Sequence, residues 1–176
     1  MTKPRAGSAC LKKGRAFIAL FLLLGCSSTH ALEIDASKFG FVFQVPRGWK
    51  VVRNSNPYRQ PLLLVEKDRK AGMTVRVVTN YVLPRGDLHY AAIGWALAPG
   101  AKFRVIETSV FRTSSNNVGL CTKSDVTKKD GEKLKELSYS FELREWTYVC
   151  VSCNGPTDGG FEQTIDSTMK TFRLIR

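Results

Sequence analysis

Alternation of apolar and polar residues in the second half of the chain is the strongest constraint on its fold. Every second position of one segment is apolar, at Leu137, Tyr139, Phe141 and Leu143. Side chains two residues apart share one face of a β-strand, so this period predicts a half-buried strand. The segments on either side also have strand character. Together they predict a three-stranded meander over 119–127, 134–143 and 146–153, joined by Asp130-Gly131 and by Arg144-Glu145.

Strand signals also occur earlier in the chain. Phe39, Phe41, Phe43 and Val45 alternate until Pro46-Arg47-Gly48-Trp49 ends the pattern. Segments 62–66 and 73–81 are short and apolar or alternating, which predicts a hairpin with its turn at Lys70-Ala71-Gly72. A further strand is predicted over 103–112.

Two segments have helical spacing. Asp87 is a plausible N-cap for a helix over 88–98, which Pro99-Gly100 would end. Residues 154–160 are nearly all turn formers and predict a loop. After this loop, a closing helix is predicted over 161–170 with Phe161, Ile165 and Met169 on one face. Strands outnumber helices, so we predict the α+β class, with a central, mostly antiparallel sheet flanked by helices.

Residues 1–25 have the organisation of an export signal. Five basic residues and no acidic residue precede or flank the start of the apolar run Ala16–Gly25. This run is much shorter than the roughly 20 residues that span a bilayer as a helix. We therefore expect a cleaved signal peptide rather than a retained membrane anchor.

Two cleavage points compete. Leu23-Leu24-Gly25-Cys26 resembles the bacterial lipobox, although that pattern more often has a small residue where Leu24 stands. We therefore predict that Cys26 becomes the lipidated N-terminus of an envelope protein facing the periplasm. The alternative is cleavage after Ala31, which follows the small residue Thr29 at the spacing of an ordinary signal peptidase site. That cleavage would give a soluble periplasmic or secreted protein.

Cleavage before Cys26 leaves 151 residues, which is the size of one domain. We predict a signal peptide over 1–25, a tether over 26–38 and a single domain over 39–176. The cleaved chain keeps 22 basic and 15 acidic residues, a net charge near +7. This excess suits an anionic partner such as lipid headgroups. Export argues against a nucleic-acid partner.

Catalytic and metal-binding signatures are absent from the sequence. His89 is the single histidine of the predicted domain, and we interpret it as a surface residue. Cys150-Val151-Ser152-Cys153 has the spacing of a redox or metal-binding pair, but residues three apart in a strand point to opposite faces. We predict no catalytic residue, no metal site and no cofactor.

A disulfide is the remaining candidate chemistry. Once Cys26 is lipidated, Cys121, Cys150 and Cys153 remain, and an odd number leaves at least one thiol unpaired. Cys121 lies in the first strand of the meander and Cys153 in the third. We predict a Cys121–Cys153 bond if those strands or their ends approach.

Two parts of the sequence resemble the PsbP and DcrB superfamily. Residues Phe41 to Trp49 resemble its opening strand with the Pro, Gly and Trp that follow. Residues Phe161 to Phe172 resemble its closing helix, with Tyr148 in the preceding strand. The superfamily includes bacterial lipoproteins, a photosynthetic extrinsic subunit and a Ran-binding import factor. The resemblance implies a central antiparallel sheet between helices and a binding or scaffolding role, with no catalytic motif to transfer.

The sequence therefore favours a non-enzymatic envelope lipoprotein that binds or stabilises an unidentified protein at the membrane. The alternative is a periplasmic carrier of a small ligand or lipid, with a pocket between sheet and helices. A deep apolar cavity with converging polar groups would favour the carrier. A filled core with an exposed apolar patch would favour partner binding.

Overall fold

Two antiparallel sheets and one α-helix make up the described part of the computed structural model, which covers residues 32–52, 63–68, 70–79 and 100–175. The first six strands are β1 Glu33–Ala36, β2 Phe41–Gln44, β3 Lys50–Val52, β4 Leu63–Lys67, β5 Ala71–Thr79 and β6 Lys102–Arg112. They are followed by β7 Val118–Thr127, β8 Lys133–Arg144, β9 Thr147–Gly155, α1 Gly159–Lys170 and β10 Arg173–Leu174. A short 3-10 helix, Ser37–Phe39, links β1 to β2.

The main sheet has seven strands in the order β3-β4-β5-β9-β8-β7-β6. The predicted meander is confirmed as β7, β8 and β9, in which Cys121 lies opposite Tyr139, and Tyr139 opposite Val151. Gly131 forms the β7–β8 turn with φ +87°, a left-handed conformation that glycine adopts without a steric penalty. The predicted hairpin is confirmed as β4 and β5, and β5 continues the sheet by pairing with β9.

Three predicted boundaries were wrong. The β4–β5 turn includes Lys70 but not the predicted Ala71 and Gly72, because these two residues already pair with β4. Trp146 belongs to the β8–β9 turn, with φ +58°, and not to the strand. The predicted loop 154–160 is shorter at both ends, because β9 extends to Gly155 and α1 begins at Gly159.

The smaller sheet has the strand order β1-β2-β10. Its strand β1 occupies part of the segment 26–38 that was predicted as a tether. The sequence EIDA is short and rich in charge, and it becomes a strand because β2 offers it an edge with which to pair. Ile34 of β1 packs against the core.

Helix α1 closes the core as predicted. The Asp158 carboxylate caps it by accepting from the backbone N–H of Phe161. Its apolar face buries Phe161, Ile165 and Met169 against β2 and β8. Phe172, just beyond the helix, stacks on Phe141 of the main sheet with ring centroids 4.2 Å apart.

The architecture confirms a central antiparallel sheet in an α+β fold. The described residues contain one α-helix, and the other predicted helix, 88–98, lies outside them. Within this described part no helix is both long and apolar enough to cross a membrane. Helix α1 and the smaller sheet cover one face of the main sheet, which we call the core face.

Candidate functional site

The residues predicted to carry function fall into two groups. Cys26 and His89 lie outside the described residues. Cys121, Cys150 and Cys153 lie in the main sheet, are buried, and are free thiols. Burial raises the pKa of Cys121 to about 12 and that of Cys150 to about 11. Thiols with raised pKa values are poor nucleophiles and poor metal ligands at neutral pH.

The predicted disulfide does not form in this structure. Cys121 lies opposite Tyr139 of β8, and Cys153 lies opposite Leu137 of the same strand. The two thiols therefore share the core face with β8 between them. Two strand spacings separate their Cα atoms by about 10 Å or more, beyond the roughly 7 Å that a disulfide can span.

Cys150 and Cys153 do not form a redox or metal-binding pair. Cys153 belongs to the core cluster, whereas Cys150 lies beside Arg76 on the opposite face, as expected for residues three apart in a strand. The described residues contain no group of His, Cys, Asp and Glu side chains arranged to hold a metal ion.

The second face of the main sheet carries a buried polar layer that the sequence analysis did not identify. A row of hydroxyl residues crosses five strands in register: Thr108, Thr122, Ser138, Ser152 and Thr74. The next row contains Ser124 and Glu136, and Glu136 is only 1% exposed. The even positions of β8 have the polar character of a solvent-facing side, yet Leu134, Glu136 and Ser138 among them are buried. Their small Ser side chains were the available signal.

Glu136 is the most unusual group in this layer. Its Oε1 atom accepts from the hydroxyls of Ser138 and Ser152, each at 3.4 Å. Its Oε2 atom and the Ser124 Oγ atom are buried without a hydrogen-bond partner among the described residues. Burial raises the Glu136 pKa to about 7, and the two serine hydrogen bonds oppose this shift. In the described register its cross-strand neighbours are Ser124 of β7 and Asn154 of β9.

The edge strand β6 is the most exposed apolar feature of the described sheet. It has 11 residues and pairs with β7, and no other described strand lies along its outer edge. Exposed apolar side chains occur along it, with Ile106 49% and Val110 68% exposed. Val118, the neighbour of Arg112 on β7, is also exposed.

Cavities in the described part are open at the surface, and the core is filled. Their volumes are about 440, 470 and 560 Å³. The largest of the three lies between α1 and residues 44–47, and its lining residues include Gln163, Thr164 and Ser167. Between the main sheet and α1, the space is occupied by packed aromatic and aliphatic side chains. None of these three cavities is enclosed.

Comparisons with known proteins identify the fold. No family model and no curated protein sequence matches the chain. Cyanobacterial PsbP (CyanoP) from Synechocystis sp. PCC 6803 has a similar structure, with a TM-score of 0.64 and 13% identity over 81% of this chain and 91% of that protein. The Ran-binding protein Mog1p of Saccharomyces cerevisiae has a TM-score of 0.52 and 12% identity over 82% of this chain and 95% of its own.

A third similar structure is LpqN of Mycobacterium tuberculosis, a protein involved in cell envelope biogenesis. Its TM-score is 0.53 and its identity 14%, over 85% of this chain and 94% of that protein. Identities this low show a shared fold and leave function open. The predicted resemblance is confirmed at the level of structure, and the chain has the fold shared by PsbP, Mog1 and DcrB-like proteins.

Proposed function

We propose that the chain is a non-enzymatic module of the cell envelope that binds a protein partner along the outer edge of β6. The observation that carries this proposal is the long edge strand with apolar side chains exposed to solvent. Soluble proteins usually protect such edges, because unpaired backbone N–H and C=O groups pair readily with another strand. An extended segment of a partner can add to this edge, with backbone hydrogen bonds giving affinity and side-chain contacts giving specificity.

The charges along β6 define the chemistry of that segment. Lys102, Arg104 and Arg112 are exposed basic residues, and Glu107 is the one acidic residue of the strand. An apolar extended segment with an acidic side chain near Arg112 complements the part of this edge that carries Val110. Opposite charges across neighbouring strands stabilise pairing, whereas like charges oppose it.

A bulge limits where the segment can pair. The register of β6 against β7 shifts between Val105 and Glu107, which leaves Ile106 without a partner in the ladder. A bulge twists an edge strand and interrupts regular pairing. Glu107–Arg112 pairs regularly with β7, and we assign the binding register to this half of β6.

A non-enzymatic role is supported by the chemistry of the described residues. The buried thiols have raised pKa values, which makes them poor nucleophiles. The raised pKa of Glu136 accompanies its burial beside two serine hydroxyls. In the sequence, His89 is the single histidine after residue 31. We expect His89→Ala to leave partner capture and cellular function unchanged in protein that folds. Loss of function in the folded variant, or turnover of a small substrate by the purified protein, would favour an enzyme.

Envelope location rests on the signal peptide and the Cys26 lipobox in the sequence, and on the fold shared with LpqN. Cys26→Ser should release the protein from the membrane fraction, because the lipid is its proposed attachment. Fractionation and N-terminal sequencing of the mature chain measure this directly. An unchanged membrane fraction, or a mature N-terminus at Leu32, would contradict lipidation of Cys26.

Partner binding is tested with a matched pair of edge variants. Val110→Asp alters the β6 edge, and Val52→Asp alters an exposed valine in β3 at the opposite edge of the same sheet. A photo-crosslinking residue at position 110 should give one dominant adduct in intact envelopes, and the same residue at position 52 should not. Mass spectrometry of the adduct should map it to an extended acidic and apolar segment.

The two aspartate variants test whether partner capture depends on the β6 edge. We expect Val110→Asp to reduce capture of the crosslinked partner at least about tenfold, as for loss of a buried apolar contact at an interface. Val52→Asp should retain capture. Equal capture by both variants, or an adduct to a structured surface without an extended segment, would reject the proposed edge.

A further inference from the structure

Basic side chains cluster at the end of the main sheet where β8 begins and β9 ends. The register places Lys102 opposite Thr127 and Thr127 opposite Lys133, so the two lysines belong to one cross-strand row. Lys129 lies in the adjoining β7–β8 turn, and its side chain passes close to Gly100. We call Lys102, Lys129 and Lys133 the basic end.

Among the residues that the structure describes, these three lysines have no acidic partner. The neighbouring Asp125 is shared by Arg104 and Lys135, with 3.1 Å to each. Lys128 pairs with Glu132 in the same turn. Within the described ranges, the three lysines of the basic end form no ion pair, and all three are exposed. Their charges are therefore available to an external anion.

A cavity of about 440 Å³ adjoins these charges. Lys102 and Lys133 line it together with the paired Arg104 and Asp125 and with the apolar residues Phe103, Val126 and Leu134. Cationic groups beside apolar side chains suit a ligand that combines a phosphodiester with hydrocarbon. Polybasic surfaces of this kind bind anionic membranes, each lysine or arginine contributing to the attraction.

The start of α1 connects the basic end with the N-terminal part of the described chain, because Thr157 lines the cavity beside the lysines and Gly160 lines a groove with Arg47. The backbone N–H of Val45 donates to the carbonyl of Leu32, the first described residue. After Val45 the chain reaches Arg47, which lines a groove with Gly160 near the start of α1. Leu32 is six residues after Cys26, and six extended residues reach at most about 20 Å. A lipid on Cys26 would hold this part of the domain near the bilayer.

We propose that the basic end binds the anionic phospholipid headgroups of the membrane to which the protein is anchored. The inference rests on the proposed lipid anchor for its orientation and on Lys102, Lys129 and Lys133 for its chemistry. Strand β6 begins in the basic end and runs away from it, so this orientation leaves Glu107–Arg112 accessible to a partner.

Amine-reactive footprinting of the mature protein in vesicles tests the proposal. The protein is reconstituted into phosphatidylcholine vesicles and into vesicles with phosphatidylglycerol, and labelling of each lysine is measured by mass spectrometry. We expect the basic end to be protected severalfold in anionic vesicles and exposed again at high salt, because surface electrostatics are screened. Lys38 and Lys170, which lie toward the other end of the domain, should label equally in both vesicles. Equal labelling of the basic end in both vesicles would overturn the proposal.

Matched double variants separate the contribution of the basic end to membrane association from that of the lipid anchor. Lys102→Gln with Lys133→Gln should weaken association with anionic vesicles about fivefold for each lysine removed. Lys38→Gln with Lys170→Gln removes the same charge and should have little effect. Failure to sediment with phosphatidylcholine vesicles would reject the anchor alone. Association with anionic vesicles that is equal in both double variants would reject the basic end.

Discussion

Tyr139, buried at the centre of the main sheet, donates its hydroxyl hydrogen to the carboxylate of Asp166 on α1. This bond joins the strand with the clearest alternation to the helix that covers it. Phe111 contacts the same ring edge-on, with centroids 5.0 Å apart. Burial raises the pKa of Tyr139 far above its usual range, and the neighbouring thiol and carboxylate add to this shift. The phenol therefore remains a donor at every physiological pH.

Tyr139→Phe should lower the free energy of unfolding by about 1.5–3 kcal/mol, the usual contribution of a hydrogen bond to a charged group. Asp166→Asn keeps an acceptor at the same place and should cost less. Urea denaturation of both variants measures the difference. A stability of Tyr139→Phe equal to that of the native chain would show that the bond contributes nothing.

Glu136 should make stability depend on pH. Its folded-state pKa is about 7 against an ordinary value of 4.5, so the folded chain keeps a proton that the unfolded chain releases. The resulting stabilisation is fully present below pH 4.5 and declines by about 3 kcal/mol as pH rises to 7. Glu136→Gln should flatten this part of the stability curve, whereas Glu132→Gln, at an exposed turn, should not. An unchanged slope in Glu136→Gln would assign the pH dependence to other groups.

The three described thiols should be protected and reduced. We expect Cys121, Cys150 and Cys153 to resist alkylation at pH 8 in the folded protein, because they are buried and their pKa values are raised. All three should react in denaturant without prior reduction. Intact-mass measurement counts the adducts. A count of one would instead indicate the disulfide that the sequence suggested.

Gly155 permits close contact between β9 and α1. A β-carbon at this position would stand 2.4 Å from Cε2 of Phe161, closer than atoms can approach. Gly155→Ala should therefore destabilise the protein by about 1–3 kcal/mol, the usual cost of overpacking a core. Gly159→Ala meets no atom within 4 Å and should be neutral or slightly stabilising in thermal unfolding. Equal melting temperatures would show that Phe161 moves aside freely.

The sequence predicted those elements in which local pattern and final environment agree. Strand β8 and helix α1 each bury one face at their own period, so their residues indicate both type and position. Strand β1 could not be predicted, because its four residues form a strand only by pairing with β2, which is a tertiary effect. The order β5-β9 was also inaccessible, since it joins segments far apart in the chain.

The features of the candidate sites also divide into those that local sequence pattern predicts and those that depend on tertiary structure. Cys150 and Cys153 lie on opposite faces of the sheet, as was predicted from strand geometry alone. The burial of Glu136 is not indicated by the alternating pattern of β8, in which its position belongs to the polar side. The exposed β6 edge has apolar residues that resemble those of a buried strand, and only the strand order shows that Val110 faces solvent.

Phe172 stacks between Phe41 of the small sheet and Phe141 of the main sheet, with centroid distances of 5.5 and 4.2 Å. The aromatic centre of the core thus requires residues from both ends of the described chain. During synthesis, the contact between Phe41 of β2 and Phe172 cannot form until the last part of the described chain is made. Phe172 and β10 follow all the other described elements. Contacts of such long sequence separation also form slowly. The aromatic centre of the core can therefore be completed only after the C-terminal part of the chain has been synthesised.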